Sequence, residues 1–95
     1  MIIATDFDGT LQIGKEPNVR LMQMLKNEQA HGSIVILWTC REGKALRDAL
    51  VFLNEHGFRP NYVNQNAPEA VRMLKRDPRK VYADVYIDDR SSLCR

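Results

Sequence analysis

Cysteine is scarce in this chain: Cys40 and Cys94 are the two among 95 residues. No framework spacing links them, so the sequence gives no disulfide scaffold, and reduced thiols in a cytoplasmic setting are expected. Long apolar runs are lacking as well, and no stretch approaches the ~20 residues a membrane helix needs. The apolar start of the chain runs at once into aspartates, so no signal peptide is expected. An excess of charge is also missing. The formal net charge is +2 and the basic residues are scattered, so charge does not indicate nucleic acid as a partner. The densest basic group, Arg72, Lys75, Arg76, Arg79 and Lys80, reads as a solvated face. Repeats, low-complexity segments and interdomain linkers are absent, which leaves one small domain over 1–95.

What is present is alternation. Ile2 to Asp6 is apolar at consecutive positions, as in a parallel strand buried on both faces. GTLQIGKEPN reads as a loop. Pro17 suits a first helical turn, Val19, Met22 and Leu25 follow at helical spacing, and Gly32 supplies the stop. Ser33 to Thr39, SIVILWT, is the plainest strand. A helix from about Gly43 to His56 carries Leu46, Ala49, Leu50 and Leu53 on its inner stripe and is capped by Gly57. A short strand near Asn61 to Val63 follows. Asn66 and Glu69 then suggest a capping box with Pro68 inside the first turn, for a helix bearing Val71 and Leu74 that ends before Pro78. Asp84 to Ile87 is the last strand. This β-α-β-α-β-α-β order predicts an α/β fold: a three-layer, Rossmann-like parallel sheet of about four to five strands, helices on both faces and no cap domain.

In such a sheet the ligand sits beyond the carboxyl ends of the strands. Asp6 and Asp8, Thr39, and Asp88 with Asp89 all fall at such ends and would converge. Two carboxylates about 4 Å apart repel by roughly 1 to 4 kcal/mol at effective dielectrics of 80 to 20. Several such pairs would consume much of a small domain's stability, about 5 to 15 kcal/mol. A bound hard cation relieves this, and Mg²⁺ is the usual choice beside phosphate. The bland reading, Asp8-Gly9 as an ordinary turn, explains neither Asp6 nor the second acidic pair. A carboxylate can attack a phosphoryl group, and a second can protonate the leaving oxygen and then activate water. Thr39 offers a hydroxyl for the phosphoryl oxygens. Lys80 offers a cation, with Lys75 as the substitute, and the helix start around Arg41 to Gly43 adds a favourable dipole.

DFDGT after an apolar strand, Thr39 ending the next strand in ILWTCRE, a lysine ahead of the final motif, and YIDD ending the last strand together resemble the haloacid dehalogenase superfamily of phosphatases and phosphotransferases. The likeness runs from Ile2 to Asp89, and LWTCRE with YADVYIDD looks like a small capless subgroup of hydrolases. The resemblance implies a phosphomonoester hydrolase with Asp6 as nucleophile and Asp8 as general acid/base. It implies Mg²⁺ held by Asp6, the backbone carbonyl of Asp8, and Asp88 or Asp89. Thr39 and Lys80 would bind the phosphoryl group, with Arg41 and Gly9 as further phosphate-binding residues. Lys80 lies closer to the acidic pair than the family's lysine often does. Capless members often act on large substrates or borrow a lid from a neighbouring subunit, so a homo-oligomer covering a sheet edge is expected.

Two other classes compete. A phosphate-binding or phospho-accepting regulatory module, such as a response-regulator receiver, shares the parallel sheet and acidic cluster. However, a receiver carries its phospho-acceptor on a middle strand, where this chain has Thr39. A calcium loop would need a further acidic ligand before the glycine and a preceding helix. His31 and His56 read as helix-end caps, Trp38 as core and Cys40 as a packed thiol. Arg41 reads equally as a phosphate contact or as a cap on the strand end.

Overall fold

The computed structural model describes residues 1–77 and 80–88. Four strands form one parallel sheet: β1 (Ile2–Thr5), β4 (Ile34–Leu37), β5 (Tyr62–Val63) and β6 (Val85–Ile87), in the order β5-β4-β1-β6. The register sets Thr5 beside Leu37 on one side and beside Ile87 on the other. Helices α1 (Val19–Ala30) and α2 (Gly43–Glu55) connect strands that step in one direction across the sheet, whereas α3 (Pro68–Leu74) leads back over β4 and β1 to β6. Right-handed crossovers therefore put α1 and α2 on one face and α3 on the other. This is the expected Rossmann-like layering, with four strands and no cap.

Side-chain size differs between the two faces. Ile3, Val35 and Leu37 pack in one buried cluster with Met22 and Leu25 of α1, Ala49 and Leu53 of α2, and Phe58. By strand alternation Ala4 and Ile36 point the opposite way, and the buried residues at α3 are small, Ala67 and Ala70. Trp38, expected in the core, is only partly buried. It lies one residue beyond β4, where the strand has left the shelter of the helices.

Three local expectations are corrected. The supposed loop after the first strand folds into a hairpin, β2 (Gln12–Ile13) and β3 (Glu16–Pro17). Gly14 carries φ +62 at the first central position of its two-residue turn, the pattern of a type II′ turn. Pro17 therefore closes a strand and does not open a helix. Asn18 is the N-cap of α1, its side chain accepting the Leu21 N–H at 3.2 Å. The capping box at Asn66 does not form either. Ala67 occupies the N-cap of α3, and the buried Asn66 side chain is drawn into longer-range bonds. His31 and His56 do stand as C-caps, each placing Nδ1 within 2.8 Å of the carbonyl four residues back.

Candidate functional site

The DFDGT segment is held at both ends by the core. Phe7 and Leu11 are fully buried, so the aspartates flanking Phe7 are turned away from the apolar cluster. The Phe7 carbonyl accepts the N–H groups of Thr10, Leu11 and Gln12, and the Gly9 N–H donates to the Gln12 carbonyl at 2.8 Å. Gly9, at φ +78, makes that turn possible. Asp6 follows β1 directly. Its N–H donates to the Ile87 carbonyl at 3.0 Å, and its Oδ1 accepts the Phe7 N–H at 2.7 Å. Thr10 Oγ1 is buried without a hydrogen-bond partner.

Asp8 is exposed and gripped by Arg41. The guanidinium donates Nε to Oδ2 at 3.0 Å and Nη2 to Oδ1 at 2.8 Å, a fork that occupies both carboxylate oxygens. Nη1 donates to the Ala45 carbonyl at 3.1 Å, and the guanidinium carbon stands 4.7 Å from the centre of the Phe7 ring. The hydrogen bonds to Asp8 raise the Arg41 pKa, opposed by partial desolvation and aided by the charges of Asp8 and Asp48. Arg41 is therefore a fixed cation beside Asp8.

Thr39 lies two residues beyond β4 and is 6% exposed. Its Oγ1 accepts the Arg41 N–H at 3.2 Å, and its own N–H donates to Asn64 Oδ1 at 2.8 Å. The Trp38 N–H donates to the Thr5 carbonyl at 2.9 Å, locking this strand end to β1. Asp88 follows β6, one residue past the Thr5–Ile87 pair, so Asp6 and Asp88 leave adjacent parallel strands at the same level. The register brings Asp6, Asp8, Thr39, Arg41 and Asp88 to one edge of the sheet. Asp89 lies outside the described residues.

Lys80 is exposed. Its backbone is placed by the buried Asn66, whose Nδ2 donates to the Lys80 carbonyl at 3.3 Å and to Asp77 Oδ1 at 3.1 Å, while Oδ1 accepts the Tyr82 N–H at 2.6 Å. Asn66 lies two residues after Asn64, so the Lys80 backbone is tied to the segment that holds Thr39. Lys75 is the left-handed C-cap at the far end of α3 and has no such link. Among the described residues no group of three His, Cys, Asp or Glu side chains is arranged to hold a metal ion. Mg²⁺ commonly takes one or two carboxylates together with water and substrate oxygens, and Asp6 and Asp88 are two carboxylates that the register sets at the same level.

One expectation at the site fails. Cys40, between Thr39 and Arg41, is disulfide-bonded and is not a packed thiol, while Cys94 lies outside the described residues. The cysteine count therefore no longer argues for a reducing compartment. Asn64 went unnoticed in the sequence, and Asn66 was read only as a helix cap. Their signal was asparagine next to a very short strand, where a side-chain amide can complete what the strand leaves unpaired.

The fold and its edge define an α/β protein built on a parallel sheet, with polar and acidic groups gathered at the carboxyl ends of the strands. No family model matches the chain, and no curated protein matches it. A solved structure does: a conserved protein from Bacteroides thetaiotaomicron, at 31% identity and TM-score 0.79, covering 100% of this chain and 82% of that one. The chain belongs to the same family as that conserved protein. Among the described residues no helix is long and apolar enough to cross a membrane.

Proposed function

We propose that this protein is a Mg²⁺-dependent phosphomonoester hydrolase of the haloacid dehalogenase type. The observation that carries the reading is the shared level at which β1 and β6 release Asp6 and Asp88, with Thr39 and the Arg41–Asp8 pair beside them. In this reading an Asp6 carboxylate oxygen attacks phosphorus, and the phosphorus–oxygen bond to the leaving alcohol breaks. Asp8 acts as the general acid, giving a proton to that oxygen. Water then attacks the aspartyl-phosphate while Asp8 takes back a proton, releasing inorganic phosphate and restoring Asp6. Thr39 donates its hydroxyl to a phosphoryl oxygen, and Arg41 and Lys80 complete the cradle, while Gly9, expected as a phosphate contact, gives its N–H to the Gln12 carbonyl and shapes the turn. Asp6, the Asp8 carbonyl and Asp88, with Asp89 in the same set, would hold Mg²⁺. The bound ion supplies charge neutralisation and alignment.

The fork from Arg41 bears on the cycle. With one N–H donor on each Asp8 oxygen, Asp8 serves a leaving group more freely once Arg41 turns to the incoming phosphate. The same fork favours the alternative, a phosphate-binding or phospho-accepting regulatory module in which Asp8 stays tied and turnover is slight. The open edge suits a large phosphorylated substrate, and a homo-oligomer covering a sheet edge belongs to the same proposal. So does a cytoplasmic setting, against which the Cys40 disulfide weighs. The thiol state of Cys40 in cells decides that point.

Phosphate release from p-nitrophenyl phosphate and a panel of phosphomonoesters, with Mg²⁺ or with EDTA, tests the chemistry. Turnover that needs the metal and falls at least about a thousandfold in Asp6→Asn is the expected result. Mg²⁺-dependent binding of phosphate by a native chain that turns over nothing would transfer the assignment to the regulatory module.

A further inference from the structure

We infer that Asn64 is the positioning residue of the phosphate site: its side chain, not the strand ladder, holds Thr39 in place. The inference rests on the phosphatase reading for what Thr39 does, and on hydrogen bonds for how it is held. Strand β5 is only Tyr62–Val63, too short to pair with the whole of β4. Asparagines at its two ends complete the pairing in the same way. At the near end the Asn61 N–H donates to the Val35 carbonyl at 2.8 Å, and Asn61 Oδ1 accepts the Val35 N–H at 2.7 Å. At the far end the Asn64 N–H donates to the Leu37 carbonyl at 2.8 Å, and Asn64 Oδ1 accepts the Thr39 N–H at 2.8 Å. Each side-chain carbonyl thus stands in for a missing backbone carbonyl of β5.

Only the far bond reaches the site. Asn64 has φ +51, a conformation that asparagine tolerates better than most residues, and that bend lets one residue grip both Leu37 and Thr39. With its N–H taken by Asn64 and its Oγ1 accepting from the Arg41 N–H, Thr39 has both groups fixed and its hydroxyl hydrogen left to donate. Losing the Asn64 amide would free the Thr39 backbone to rotate. The hydroxyl would then no longer be held for the anion, and its bond from the Arg41 N–H would loosen with it.

Asn61 provides an internal control, because it makes the same kind of bond to the same strand away from the acidic edge. Asn64→Gly keeps the left-handed backbone without strain and removes the acceptor. Asn61→Gly removes the acceptor at the other end, together with the bond that Gln29 Nε2 donates to it at 2.9 Å. Both variants and the native chain are titrated with inorganic phosphate in Mg²⁺, and KM and kcat are measured on p-nitrophenyl phosphate. Asn64→Gly should weaken phosphate binding and raise KM about tenfold with kcat changed much less, while Asn61→Gly lowers Tm to a similar extent and leaves both constants within about twofold. Equal effects of the two variants on phosphate binding, or none from Asn64→Gly, would overturn the inference. Phosphate binding is read separately from turnover. A native chain that binds phosphate through Asn64 but hydrolyses nothing therefore sinks the phosphatase reading and keeps this one. If Asn64→Gly does not fold, the native chain decides. Inorganic phosphate should shift the Asn64 side-chain amide and Thr39 backbone amide signals together in a nitrogen-15 spectrum, and an unmoved Asn64 amide would refute the proposal.

Discussion

Thr10 shows how tightly single residues are fitted into the acidic turn. Its Oγ1 is buried with no partner, and a buried hydroxyl without a hydrogen bond costs about 1 to 3 kcal/mol. Valine has nearly the same shape and no such penalty. Thr10→Val is therefore expected to keep or raise stability, by up to about 1 kcal/mol in urea unfolding. A loss above that size would mean that an ordered water serves the hydroxyl. Residue chemistry was also the most legible level in the sequence. The pair of aspartates at a strand end stood out there at once, whereas the burial of Phe7 between them carried no signal of its own. Arg41 was harder to read, because its partner Asp8 is 33 positions away and no local pattern joins them. The role of Asn66 was misread for the same reason. A local capping box and a long-range bond to Tyr82 compete for one side chain, and tertiary structure decided between them.

At the scale of elements, strands β1 and β4 and helices α1 and α2 were legible because their apolar spacing is strong. The β2–β3 hairpin was not, since two-residue strands have no periodicity to detect and the only clue was Gly14 in its turn. That hairpin shapes the entrance to α1. The Asn18 N–H donates to the Leu11 carbonyl at 2.8 Å, its Nδ2 donates to the Thr10 carbonyl at 3.0 Å, and its Oδ1 caps the helix. One residue thus ties the acidic turn to the first helix. An ordinary N-cap contributes about 1 kcal/mol, and Asn18 adds a second side-chain bond. Asn18→Ala should cost about 1 to 2 kcal/mol, a fall in Tm of roughly 5 to 15 °C for a domain of this size. A fall under about 2 °C in a calorimetric scan would show that the cap and its link are dispensable.

At the scale of the whole molecule, the main apolar cluster among the described residues lies on the side of α1 and α2, and Leu53 is fully buried within it. Removing a buried leucine side chain costs about 2 to 5 kcal/mol, against a total of about 5 to 15 kcal/mol for a small domain. Leu53→Ala is expected to move the urea midpoint sharply downward and to leave a measurable unfolded population at 37 °C. An unchanged midpoint would place the stability elsewhere. Fold class was legible at this scale because alternating elements leave few arrangements, whereas strand order needed the register that sets Ile3 beside both Val35 and Val85.

That register has a consequence for synthesis. β1 is a central strand, and its partner on one side, β6, lies 82 positions later at the Ile3–Val85 pair. Growing at roughly 5 to 20 residues per second, a nascent chain carries Asp6 for several seconds before Asp88 leaves the ribosome. Contacts this far apart in sequence close late. A chain interrupted before Val85 can form the α1 and α2 layer but lacks the strand that brings the second carboxylate to the edge. Interrupted chains of that kind would thus lack the paired Asp6–Asp88 edge on which the proposed hydrolysis depends.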